Sequence, residues 1–241
     1  MKPTEETLRR IEAAFEREPR INLHAYPFQM EIDDGILTLE GVTESVAAKK
    51  LALELAAAEP GVAGIVDRLR VEPAEAMEDE DIRNHVCDAF IQEPAFADYA
   101  IRAFSFGAWE TVRSAPREPT GVMEVEVADG IVTLNGTVGS LSHKRLAGVL
   151  AWWVPGSRDV VNGLEVSPPE EDNDDEVIDA VRLVLEKDPF VNASQIRVSC
   201  RDCVVTLEGV VPKPKEKEMA EADAWYVFGV DRVMNRLEVR E

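Results

Sequence analysis

Asp34-Gly-Ile-Leu-Thr-Leu-Glu-Gly41 decides how this chain folds, because the pattern returns as Asp129-Gly-Ile-Val-Thr-Leu-Asn-Gly136 and as Asp202-Cys-Val-Val-Thr-Leu-Glu-Gly209. An Asp-Gly pair supplies the positive φ angles of a tight hairpin turn, and the alternating run after it reads as a strand. Spacing outward from the motif is fixed. Twenty residues beyond its last glycine stand Gly61, Gly156 and Gly229, and ten further on Val71, Val166 and Val239. A lysine follows the same glycine at eight residues in each copy, as Lys49, Lys144 and Lys217. Self-similarity at constant spacing is the signature of duplicated structure.

Upstream of each motif lies an amphipathic stretch that ends in an acid-proline pair: Leu8 to Phe15 before Glu18-Pro19, Ile82 to Ile91 before Glu93-Pro94, and Val177 to Leu185 before Asp188-Pro189. Apolar residues at Leu8, Ile11 and Phe15 share one helical face, and proline disfavours helical geometry in the residue before it. A second helix is expected from Ser45, Ser140 or Lys213-Pro214, serine being a good N-cap and proline acceptable in a first turn. It should end before Gly61, Gly156 or Gly229. The expected fold class is therefore α+β. Three tandem αββαβ modules are predicted, at residues 4–73, 78–168 and 172–240, each a three-stranded mixed sheet covered on one face by two helices. Units of about 70 residues have thin cores, so the modules are expected to pack on one another.

The formal charge is −21, divided as −5, −8 and −8 when the chain is split at residues 73 and 168. An acidic protein of this kind lacks the positive face on which nucleic-acid binding depends, and anionic membrane surfaces should repel it. No run is long and apolar enough for a transmembrane segment. The charged start carries no apolar signal core, which points to the cytoplasm, or to the periplasm where a leader has been removed. Three cysteines suit a reducing compartment better than a disulfide framework.

The repeated residues resemble the BON domain family, whose core reads D-G-x-V-T-L-x-G. The likeness is best over residues 31–71 and 126–166, and Cys203 stands in the third copy where the turn glycine is expected. The resemblance implies a non-catalytic bacterial module, commonly proposed to bind phospholipid and found in osmotic-stress, secretin and pore-associated proteins. One relative of the family binds potassium. The recurrent glycines and valines are fold determinants and assign no ligand site.

Candidate chemistry is sparse. Cys200 and Cys203 form a C-x-x-C on either side of the predicted turn, readable as structural, as a redox pair, or as part of a metal site, although two ligands fall short of the four that structural zinc takes. His24, His85 and His143 occupy unrelated repeat positions and read as surface or packing residues. His143-Lys144-Arg145 is a basic cluster, so Lys144 and Arg145 are candidates for a phospholipid headgroup, against the alternative of a solvated helix face. Asp172 to Glu176 fails the calcium-loop pattern, since glycine and glutamate are missing from its sixth and twelfth positions, and instead suits the cap of a helix. Glu78 to Asp81 does likewise.

The second module carries about 20 residues more than its siblings, near 96–121, including Phe96, Tyr99, Phe104, Phe106 and Trp109 and then a proline-rich run from Ser114 to Thr120. The segment is expected to be an extra helix, roughly Tyr99 to Arg113, packed on a neighbouring module, or else a contact for a protein partner or lipid. Trp152-Trp153 and Trp225-Tyr226 fall at matching positions and read as core or inter-module packing. With no phosphate loop, nucleophile motif or paired carboxylates, no enzyme activity, metal or cofactor is expected. The expected role is a binding or scaffolding protein for protein or envelope partners, with phospholipid binding and small-cation binding of the potassium type as alternatives.

Overall fold

The Asp-Gly pairs form the turns that the sequence asks for. Asp34 and Gly35 have φ of 46° and 81°, and Asp129 and Gly130 have 55° and 75°. In the third copy Asp202 and Cys203 adopt 50° and 61°, so the turn survives loss of its glycine. This computed structural model describes residues 3–115 and 120–240. Around the first turn are built α1 (Pro3–Arg17), β1 (Gln29–Asp33), β2 (Ile36–Thr43), α2 (Val46–Ala57) and β3 (Gly64–Val71). β1 and β2 are antiparallel, β2 and β3 parallel, and Ile11, Phe15, Leu37, Leu39, Leu51 and Leu69 form the core beneath the helices.

The glycine that closes each motif has a steric cause. A Cβ on Gly136 or Gly209 would lie 2.0 Å from the backbone oxygen of Val122 or Gln195, and both have positive φ, at 107° and 145°. The serines cap as expected: the Ser45 hydroxyl accepts from the Ala48 N–H at 3.2 Å, and that of Ser140 from the His143 N–H at 3.1 Å. The acid-proline pairs also have a local logic. The carboxylates of Glu18, Glu93 and Asp188 accept from the N–H two residues on, in Arg20, Ala95 and Phe190. That bond fixes the turn by which the chain leaves its helix.

The chain divides into two compact units between Glu72 and Pro73. The second unit holds two copies of the pattern. The first runs through α3 (Asp79–Gln92), β4 (Tyr99–Ser105), β5 (Ala108–Arg113), β6 (Gly121–Ala128), β7 (Ile131–Val138), α4 (Leu141–Trp152), β8 (Asp159–Asn162) and β9 (Glu165–Val166). The other consists of α5 (Asp174–Lys187), β10 (Ile196–Arg201), β11 (Val204–Val211), α6 (Pro214–Tyr226) and β12 (Arg232–Val239). α4 lies against α3, α5 and α6, so these two copies pack through their helices.

Two expectations are corrected. The second copy has a six-stranded sheet in place of a three-stranded one, ordered β5-β4-β6-β7-β8 with β9 also on β7. The helix expected from Tyr99 to Arg113 is instead the β4–β5 hairpin. Tyr99, Ile101, Ala103 and Ser105 are buried while Ala100, Arg102 and Phe104 between them are not, a period of two that no helix matches. β4 runs parallel to β6 and so extends the sheet by two strands. The proline-rich run lies partly outside the described residues, at 116–119. No helix among the described residues is long and apolar enough to cross a membrane.

Candidate functional site

The β4–β5 hairpin is mounted on a rigid base. On its buried face the Tyr99 hydroxyl accepts from the Gly139 N–H at 2.8 Å and lies 2.7 Å from Nδ1 of His143. Burial pushes the His143 pKa down, which keeps the imidazole neutral and able to accept the Tyr99 proton. Phe90, Phe96, Tyr99 and His143 stack edge to face around this bond. At the end of β5 the Arg113 guanidinium donates to the carbonyls of Ile91, Phe96 and Tyr99. Both strands of the hairpin are therefore held at its base, opposite the tip.

Its other face carries an aromatic and cationic cluster. Phe104 and Trp109 are cross-strand partners with ring centroids 5.3 Å apart. The Arg102 guanidinium lies 5.6 Å from the centre of the Trp109 ring and bonds Glu124 on β6 at 2.6 Å. At the tip, Phe106 and Gly107 form a two-residue turn with φ of 47° and 81°. In the other three two-residue turns aspartate fills the first position, a residue that tolerates positive φ. Here it is phenylalanine, and it is 93% exposed. A bulky residue held at positive φ costs on the order of 1 kcal/mol, and burial returns none of it here.

The basic cluster at 143–145 does not form one surface. His143 is engaged with Tyr99. Arg145 is completely buried: its Nε donates to the Phe228 carbonyl at 2.9 Å and its Nη2 meets Asp172 at 2.6 Å. Lys144 is half-buried with Nζ 5.6 Å from the centre of the Phe228 ring. Successive helical residues point about 100° apart, so adjacency in sequence does not make a shared face. The other repeat lysines are architectural. Lys49 donates to the Leu69 carbonyl at 2.9 Å and Lys217 to that of Leu237 at 2.7 Å.

The acidic run at 172–176 is spent on structure. Asp172 holds Arg145, Asn173 caps α5, and Asp174 accepts from the N–H groups of Asp202 and Cys203. Asp79 does the same for Asp129 and Gly130 in the second copy. Cys203 sits inside its turn rather than beside it, and Cys200 pairs with Val205 across the ladder. All three cysteines are free thiols. Burial and the neighbouring Asp174 carboxylate push the Cys200 pKa up to about 12, and burial raises that of Cys203. Neither supplies the thiolate that redox chemistry needs. Alkylation at pH 8, read site by site by mass spectrometry, should be on the order of a hundredfold slower at Cys200 in the folded protein than in the unfolded chain; equal rates would contradict this environment. Among the described residues no cluster of three or more His, Cys, Asp or Glu could hold a metal ion.

The interface between the last two copies holds a buried acid that no sequence motif marks. Asp223 is 3% exposed on α6 and accepts from Trp153 Nε1 at 3.0 Å. Its repeat equivalents, from the lysine spacing, are Leu55 and Leu150. A lone acid where its siblings carry leucine was the available signal. Trp152 stacks on Tyr226 with an 18° interplanar angle, Lys187 bonds Glu93 at 2.8 Å and Arg145 bonds Asp172, so these side-chain pairs also join the two copies.

Comparison with known proteins adds the following. The sequence pattern of the BON domain matches residues 4–73, 111–168 and 173–241. No curated protein matches the chain. Among solved structures, the C-terminal domain of CdsD, the structural protein of the type III secretion system of Chlamydia trachomatis, is similar at 15% identity and a TM-score of 0.26, covering 97% of each chain. A second structure of CdsD matches at 16% identity and a TM-score of 0.24, covering 98% of this chain and 94% of that one.

Proposed function

The chain belongs to the BON domain family, a family of non-catalytic modules, and from that premise we propose that it is a protein-interaction scaffold whose β4–β5 hairpin carries the partner contact. The observation that carries this reading is Phe106, 93% exposed at positive φ on a hairpin otherwise pinned in place. Phe104 and Trp109 extend the patch from tip to sheet face, and aromatic anchors of this kind dominate protein interfaces. The matched family pattern begins at residue 111 in this copy, with α3, β4 and the tip outside it, and the three-stranded sheets of the other two copies have no counterpart of β4 or β5 among the described residues. The hairpin is thus an addition to a module whose recurrent residues serve architecture. A phospholipid headgroup at Lys144 and Arg145 has less support, because Arg145 is committed to Phe228 and Asp172.

The reading predicts a separation of stability from binding. Phe106→Asn puts a residue suited to positive φ in the turn and should raise the melting temperature by about 2–4 °C, following a gain of up to about 1 kcal/mol. The same change, and Trp109→Ala, should abolish capture of proteins by the immobilised chain, read by mass spectrometry. Phe190→Ala, at another exposed aromatic, should not. Capture that is unchanged in both hairpin variants would remove the proposal.

A further inference from the structure

The register of the hairpin leaves a defined set of backbone groups without a strand partner among the described residues. The two-residue turn is closed by Ser105 and Ala108, which exchange hydrogen bonds in such a hairpin. Alternation makes Ala103 and Glu110 the next bonded pair and leaves Phe104–Trp109 and Arg102–Thr111 as open pairs. The Phe104 carbonyl accordingly faces away from β5 and lies 3.5 Å from Arg83 Nη1. On β5, the N–H and C=O groups of Trp109 and Thr111 point to the outer edge, where β5 ends the six-strand order. Sheet edges are usually blunted by lysine, proline or a bulge. From Ala108 to Thr111 there is neither lysine nor proline, the one charge is Glu110, which repels an acidic strand but suits a basic one, and the bulge comes only beyond, opposite Ile101 and Arg102.

We propose that this edge accepts an extended, basic segment of a partner protein as a further strand, an inference that rests on the hairpin being the partner contact. Backbone pairing to Trp109 and Thr111 would supply affinity, as in other cases of strand addition. The two faces of β5 supply the preference for positive charge. On one, Trp109 holds the Arg102 guanidinium 5.6 Å from its ring centre, and an indole ring attracts cations. On the other, Glu110 is exposed beside the edge. The chain as a whole carries −21, which draws a basic segment in and disfavours a second copy of itself at the same edge.

The test uses the full chain and two synthetic peptides, one alternating lysine with valine and one alternating lysine with proline. Both carry the charge, but only the first can form a strand. The lysine–valine peptide should slow hydrogen exchange at the Trp109 and Thr111 amides, and the lysine–proline peptide should not. Thr111→Pro removes an outward donor without breaking the β4 ladder and should weaken binding about tenfold. Glu110→Lys, which leaves the backbone untouched, should weaken it as well and covers the case in which the proline variant does not fold. Equal binding of the two peptides would overturn strand addition, as would wild-type affinity in a folded Thr111→Pro or in Glu110→Lys. Phosphatidylglycerol vesicles that protect the same two amides would overturn it in favour of a lipid. If these arms fail while Phe106→Asn still abolishes partner capture, the hairpin contact stands and only the strand mechanism falls.

Discussion

Asp223→Asn should spare the second compact unit a loss of stability that the wild type suffers as the pH rises, with wild type and variant melting together near pH 4, diverging up to about pH 8 and running parallel above it. Burial and, next, the charge of Asp188 push the Asp223 pKa up to about 8. A carboxyl raised in this way holds a proton in the folded state that the unfolded chain has already released. Its contribution is complete below the unfolded pKa and is lost as the pH climbs through the folded one. The loss is on the order of 3–5 kcal/mol, part of it shared with the adjacent acid. Asparagine keeps an oxygen for Trp153 Nε1 and carries no charge to bury. Above pH 8 the variant should therefore melt about 5–10 °C higher. Differential scanning calorimetry across the pH range checks this, and a gap between the two proteins that does not change with pH would show that Asp223 is ionised throughout.

Arg145→Ala should destabilise the same unit by about 2–4 kcal/mol, because it empties the volume of a fully buried side chain and takes the donor from the Phe228 carbonyl. Arg145 comes from α4 in one copy, and its two partners lie elsewhere: Asp172 before α5 and the Phe228 carbonyl after α6. Truncation leaves both without their donor and opens a cavity where the Arg145 side chain was fully buried, although the Asp172 carboxylate stays half exposed to water. Arg145→Met keeps most of the volume and removes the charge, so its cost should be smaller. Neither effect should depend strongly on salt, since buried charges are poorly screened. Hydrogen exchange should rise first around Phe228 and Gly229, whose backbone packs on the guanidinium. A loss under about 1 kcal/mol for the alanine variant would mean that this contact does not join the copies.

The parts of the fold that were legible in the sequence are those written in local backbone geometry. Asp34-Gly35, the N-caps Ser45 and Ser140, and the glycines at 41, 136 and 209 each constrain only a few residues, so each could be read where it stands. The tripled spacing then turned weak signals into one pattern. Phe106-Gly107 is likewise a turn signal between two alternating runs, but the density of aromatics around it, taken as composition alone, suggests a packed helix. Lys144 and Arg145, candidates for a headgroup or for a solvated helix face, are neighbours in sequence that do not share a surface. The helix sends one towards the Phe228 ring and the other into the interior. Of the candidate contact, Phe104, Phe106 and Trp109 were found by composition, while Arg102 and the free edge at Trp109 and Thr111 were not.

By itself, then, the sequence determined that one αββαβ pattern is used three times, since positive-φ turns, caps and close backbone approaches act within a module and admit few residues. Only the tertiary structure decided that the second sheet grows to six strands, that Arg145 and Asp223 are buried between two copies, and that Phe106 is left outside. Burial and edge exposure depend on which distant segments come together. A residue's own identity does not state what will cover it.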